Sequence, residues 1–216
     1  MGAFRGSLTY RQYFVRDPLP GDWKDRFQIG IEQNIFQALD PAGEAERAVG
    51  WCSIHFPLDL ELTPEQYIYN EYIVLGLRID TMTVPGSLLR IFTESECRKV
   101  MFEQKKAKLS RYEKAEIKDR VKLMLKKKLL PSIKSIDVAW NWQKGVLRFF
   151  AGNEKVNVEF MELFEQTFGL QLTPDGPYTA ALLEATGLTE AERLALDGVE
   201  PVQFVDLDTA VAAMKE

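Results

Sequence analysis

Cysteine and histidine are almost absent from this chain of 216 residues, which holds two of the first and one of the second. Cys52 and Cys97 are too few and too widely spaced for a disulfide framework, and neither belongs to a Cys-x-x-Cys pair, which favours a reducing compartment. With His55 as the single imidazole and no clustered cysteines, the usual zinc sites are excluded. A Gly-rich phosphate loop, a nucleophile elbow and a kinase signature are also missing. No apolar run approaches the ~18 residues of a membrane span. Arg5, Arg11 and Arg16 interrupt Met1 to Arg16, where a signal core would lie. The expectation is a cytoplasmic protein with no membrane partner, no cofactor and no enzymatic activity.

What is present suffices for a folded core. Apolar residues make up 46% of the chain and aromatics 11%, well away from the composition of disordered segments. The net charge of −5 argues, as a total, against a nucleic-acid partner, but it hides a segregation. Arg98 to Lys134 holds 14 Lys or Arg against four acids (Glu103, Glu113, Glu116 and Asp119), an excess of ten positive charges, so the rest of the chain carries −15. The resulting sided field, not the total, is what a polyanion meets.

Period-2 alternation predicts a strand over Phe4 to Phe14, and Asp22 stands where an N-cap would before an amphipathic helix from Trp23 to Leu39. A strand from Arg47 to Phe56 follows, then a proline-broken acidic loop with Asp59 and Glu61. A third strand, Tyr72 to Val84, has an apolar centre that implies a mid-sheet position. Ser87 to Lys108 reads as a weakly amphipathic helix. Ser110 with Glu113 forms a capping box opening a second helix that Pro131 stops. Ile136 to Phe150 reads as a hairpin turning at Gly145. Asn153 caps a last helix presenting Phe160, Met161, Phe164 and Phe168 on one face, with Gly169 as its stop. Residues 170–216 form an acidic tail with a small helix near Ala180 to Leu196. The order predicts an α+β fold: a mainly antiparallel sheet, helices on one side, and a long helical pair carrying a basic stripe, all within residues 1–169.

With Ile117 at zero on a helical wheel, Val121 and Met124 form the buried seam, while Arg111, Lys118, Lys122 and Lys126 cluster at about 100° to 180°. Lys114 lies nearby, Lys105, Lys106 and Lys108 precede the helix, and Lys127 and Lys128 follow it. Aligned cations meeting phosphates release condensed counterions from duplex DNA, which supplies sequence-independent affinity. Lysine is a mobile point charge, so phosphate contact with little base readout is expected. A lysine-rich face is most often only a solvated face, so periodicity alone leaves the function undecided. Two other readings stay open: a protein-interaction or assembly module whose basic face meets an acidic partner, and a Mg²⁺-dependent nuclease using Asp59 and Glu61. His55 reads as a structural residue within the strand Cys52 to Phe56, and Trp51, Trp140 and Trp142 as core.

The strand Phe4 to Phe14, the run Val49-Gly50-Trp51, the spaced pattern Glu113-Lys114, Lys118, Val121 and Leu129-Leu130-Pro131, and the hairpin Val138 to Phe150 resemble the RdgC family of bacterial recombination-associated proteins over Phe4 to Leu170. The resemblance implies a non-enzymatic, nucleoid-associated protein that binds double-stranded DNA without sequence preference. It further implies a ring-shaped homodimer and a restraint on RecA-promoted strand exchange. The residues it carries over are those of the basic segment, Lys105 to Lys128. Members of that family are longer. Here the segment from Leu170 to Glu216 stands in place of their later part, which leaves closure of a ring open.

Overall fold

The computed structural model describes residues 2–4, 9–41, 43, 45–177, 179 and 189–198. The chain divides into two compact units, Met1–Thr173 and Pro174–Glu216. In the first, β1 (Arg11–Val15), α1 (Trp23–Gln33), β2 (Arg47–Cys52), α2 (Pro64–Tyr67), β3 (Ile68–Tyr69) and β4 (Tyr72–Thr81) precede two long helices, α3 (Gly86–Glu103) and α4 (Arg111–Lys126). After them come β5 (Ser132–Asn141), β6 (Val146–Phe149), α5 (Glu154–Phe168) and β7 (Leu172–Pro174); the second unit contains α6 (Glu190–Asp197). The strands form a seven-stranded sheet in the order β2-β4-β5-β6-β1-β7, with β3 pairing on β4. The pairs β1–β6, β2–β4, β3–β4, β4–β5 and β5–β6 are all antiparallel. The fold is α+β.

Alternation decides which face is buried. Ile73, Leu75, Leu77 and Ile79 of β4 join Ile136, Val138 and Trp140 of β5 and Leu147 and Phe149 of β6 in one apolar cluster with Phe27 and Ile31 of α1 and Phe160, Phe164 and Phe168 of α5. The phenylalanines of α5 recur every four residues and so form one stripe against the sheet. Phe160 stacks on Phe149, ring centroids 4.1 Å apart and 10° from parallel, and meets Trp51 edge-on. On the other face, β4 keeps Arg78 and Asp80 buried by pairing them: Arg78 Nε and Nη2 donate to the two Asp80 carboxylate oxygens at 2.8 and 2.7 Å, and Nη1 donates to the Pro57 carbonyl.

Two close backbone approaches require glycine. A Cβ on Gly30 would lie 2.0 Å from the Thr167 carbonyl oxygen, so the backbones of α1 and α5 meet at a point that admits no side chain. One on Gly50 would lie 2.4 Å from Phe36 Cα. The second approach explains why α1 ends at Gln33 and does not run to Leu39. Beyond it the chain straightens and pairs with β2, Trp51 N–H donating to the Asn34 carbonyl and Phe36 N–H to the Trp51 carbonyl. β1 is likewise shorter than Phe4 to Phe14, because β6 offers only four partners, Val146 to Phe149; residues 5–8 of that expected strand lie outside the described residues. β2 stops at Cys52, and the loop after it contains the short helix α2, whose Thr63 and Gln66 close a capping box. Leu170 and Leu172 are buried in the main core, so the ordered core continues past Gly169. Of the helix expected near Ala180 to Leu196, residues 180–188 lie outside the described residues.

The helices α3 and α4 are an excursion between two neighbouring strands. Thr81 at the end of β4 pairs with Ser132 at the start of β5, so the 50 residues between them leave and re-enter the sheet at one place. Their packing is chiefly on each other, through a separate small core of Leu109, Ile117, Val121 and Leu125 with Leu88, Leu89, Cys97, Val100 and Met101 partly buried around it. No residue of α3 is fully buried. At about 1.5 Å per residue the 18-residue α3 extends about 27 Å. The pair is a two-helix arm, with the loop 104–110 at its tip and β4, β5 and Glu46 at its base.

Candidate nucleic-acid interface

Each end of the arm has a local cause. α3 stops at Glu103, five residues short of Lys108, because Lys105 takes a left-handed conformation (φ 51°). Lys105 N–H donates to the Phe102 carbonyl and Lys106 N–H to the Met101 carbonyl, the paired bonds that close a helix C-terminus. α4 opens on the expected capping box: Ser110 Oγ accepts from Glu113 N–H at 3.2 Å, and the Glu113 carboxylate accepts from Ser110 N–H at 2.7 Å. Lys106 Nζ adds a 2.7 Å ion pair to the same carboxylate. These contacts, Lys106 first and the Ser110 N–H second, hold Glu113 down at a pKa of about 2.

Ten cations were candidates for phosphate contact, and the structure sorts them. Lys105, Lys108, Arg111, Lys114, Lys118, Lys127 and Lys128 are exposed, and none of the seven makes an ion pair among the described residues. Arg111, Lys114 and Lys118 follow one another along one flank of α4. Lys108 and Lys114 border a cavity of about 380 Å³ near the tip, and Arg98 of α3 borders it with them. Sequence reading assigned no role to Arg98; only the pairing of the two helices brings it beside α4.

The other three are engaged. Lys106 is held by Glu113. Lys122 and Lys126 converge on one carboxylate oxygen of Glu46, at 2.8 and 3.1 Å. Lys126 is only 7% exposed, because the last turn of α4 meets the base of the arm. The Lys122 and Lys126 hydrogen bonds push the Glu46 carboxyl below the ordinary carboxylate range, and Glu46 in turn raises Lys122. The basic stripe on the wheel is therefore open from Arg111 to Lys118 and closed by an acid at its base. The buried seam also shifts: Leu125 joins Ile117 and Val121 in the small core, and Met124 is only partly buried.

The residues behind the other readings lie elsewhere. Asp59 Oδ1 accepts from Glu61 N–H at 3.1 Å within its own turn, and no cluster of three or more His, Cys, Asp or Glu side chains able to hold a metal ion occurs among the described residues. His55 lies beyond the end of β2, not in the strand, and is exposed; its Nε2 is 3.0 Å from the Tyr69 hydroxyl and its ring stacks on Phe4. Trp51 and Trp140 are fully buried in the core, while Trp142 is half-buried against Trp23. Burial lifts the Cys52 thiol to a pKa of about 11, which leaves it protonated and unreactive near neutrality. Among the described residues no helix is long and apolar enough to cross a membrane.

A comparison with models of known protein families finds no match for this chain, and a search of curated proteins finds none.

Proposed function

We propose that this protein binds double-stranded DNA without sequence preference, gripping phosphates with the α3–α4 arm, and that it modulates homologous recombination in the manner of RdgC proteins. The observation that carries this reading is the arm itself: two helices standing off one end of the sheet with seven exposed cations free of carboxylate partners among the described residues. Duplex DNA presents about one negative charge per 1.7 Å of axis, so cations spread along a rod can each meet a phosphate. Nothing in such contacts reads base edges. The reading includes no catalytic step, and the resemblance to the RdgC family points the same way, including toward a homodimer that acts alongside RecA.

Glu46 supplies the test. Replacing Glu46 with Gln keeps a hydrogen-bond acceptor beside Lys122 and Lys126 but removes the one negative charge that the two share. Duplex affinity of Glu46→Gln, measured by fluorescence anisotropy, is expected to rise by about threefold to tenfold and its salt dependence to steepen by about one unit. An affinity equal to that of the unaltered protein would count against the arm as the contact surface.

A second reading is favoured by one observation. Ile91 and Phe92 on α3, Phe102 at its end and Tyr112 on α4 are exposed, at 59, 40, 86 and 89%. An arm with bare apolar residues beside cations also suits an assembly surface for a protein partner. On that reading Glu46→Gln leaves DNA affinity unchanged.

A further inference from the structure

A second hollow lies on the sheet and shares no lining residue with the cavity of the arm. α1 and α5 cover one face of the sheet; the opposite face carries Tyr72 and Val74 of β4, Ala139 of β5 and Arg148 of β6. The register aligns Val74, Ala139, Arg148 and Gln12 in one row across four strands. The small residues of that row, Val74 and Ala139, floor a hollow of about 520 Å³. Its walls are aromatic: Tyr69 and Tyr72 form a registered pair on one side, Tyr10 and Phe150 meet at 5.7 Å on the other, and Phe4 borders it as well. The volume is in the range of a small-molecule site.

Among the described residues that line the hollow, the one charged side chain is that of Arg148. Arg148 is exposed, makes no ion pair among the described residues, and lies 5.4 Å from the centre of the Tyr10 ring. Its Nε donates to Gln12 Oε1 at 3.3 Å, so the guanidinium is steadied on one side while the ends of its fork remain available. Among the described residues no carboxylate borders the hollow; Asp137, two positions before Ala139 on β5, accepts from the Ala3 N–H at its edge. Flat walls call for a planar ring, and a lone guanidinium with a free fork calls for an anion with two oxygens to offer, phosphate above all. Asn70 at the rim, in the left-handed turn between β3 and β4 (φ 52°), brings an amide that can pair with the edge of such a ring.

From this geometry we infer that the hollow binds a nucleobase carrying a phosphate, the base against Tyr10 and Tyr69 and the phosphate on Arg148. The ligand has two sources, a free nucleotide or an unpaired nucleotide of a single strand, since every base offers a face for aromatic stacking. The inference does not depend on the arm.

Titration calorimetry with thymidine monophosphate, thymidine and an eight-residue oligothymidylate tests it, on the unaltered chain, Tyr10→Ala, Arg148→Gln and the arm variant Arg111→Glu/Lys114→Glu/Lys118→Glu. Both Tyr10 and Arg148 are exposed, so neither change should disturb folding, which a thermal melt verifies. The monophosphate is expected to bind the unaltered chain and the arm variant equally, and to lose about tenfold or more in Tyr10→Ala. Arg148→Gln should lose about tenfold for the monophosphate and leave thymidine unchanged, because only the phosphate meets the guanidinium. Tighter binding of the oligonucleotide than of the monophosphate in the arm variant, still weakened by Tyr10→Ala, identifies the single strand as the source; binding of the monophosphate alone identifies the free nucleotide. Failure of both the monophosphate and the oligonucleotide to bind, affinities unmoved in Tyr10→Ala and Arg148→Gln, or benzoate, titrated as a control anion with a flat ring, binding as tightly as the monophosphate would overturn the assignment.

Discussion

Replacing Arg111, Lys114 and Lys118 together with Glu is expected to lower duplex affinity by at least about 100-fold near 0.1 M salt and to flatten the dependence of log affinity on log salt by about three units. The three residues lie on successive turns of one flank of α4, are exposed, and make no ion pair among the described residues. Each lost phosphate contact removes the release of roughly one counterion, and the three introduced carboxylates add repulsion. Because the side chains touch water and not the small core of the arm, unfolding free energy should change by less than about 1 kcal/mol. Lys122 and Lys126 share the wheel with them but would make a poorer test. Lys126 is buried at the base of the arm and both are held by Glu46, so changing them perturbs the join between arm and sheet as well as the surface charge. Unchanged duplex affinity in the triple variant would remove the arm from the DNA-binding account.

The second large effect concerns the scaffold. Phe160→Ala should destabilise the protein by about 3–5 kcal/mol, read as a lower urea midpoint with an unchanged slope. Phe160 is fully buried, stacked on Phe149 and in edge contact with Trp51, and Tyr13 and Phe164 complete its surroundings. Truncation leaves a cavity between α5 and the sheet that the rigid rings around it cannot collapse to fill. A loss below about 1 kcal/mol would mean that α5 does not pack on the sheet as described.

Much of this architecture was legible in the chain, and the reason is locality. The capping box of Ser110 and Glu113, the Asn153 cap of α5 and the left-handed Gly169 that ends it depend on residues a few positions apart, and all three form as the sequence predicts. The phenylalanine stripe of α5 and the apolar centre of β4 follow from periodicity. The helix α2 was equally available, since Thr63, Pro64 and Gln66 spell a capping box with proline at the first helical position, but the acids and prolines around it, Pro57, Asp59 and Glu61 among them, suggest a loop. The rest of what escaped depends on distant residues. The end of α1 follows from Phe36 lying across Gly50, and the place of β7 from a free strand edge beside β1.

The candidate site divides along the same line. A wheel drawn from α4 alone places Lys122 and Lys126 on the stripe, but it cannot contain Glu46, which lies more than seventy residues earlier in the chain and closes the base of that stripe. For the same reason it cannot bring Arg98 of α3 beside Lys108 and Lys114. The hollow around Arg148 is assembled from four strands in register and has no signature within any one of them.

Duplex binding of the unaltered chain, titrated from about 50 to 300 mM salt, tests most directly whether a gathered basic arm prevails over a net charge of −5. Seven exposed cations, at roughly 0.9 counterion per phosphate contact, predict a slope of log affinity on log salt of about −6 if all seven meet phosphates and about −4 if five do. A slope shallower than about −1, or no measurable duplex binding at the lowest salt, would contradict the account.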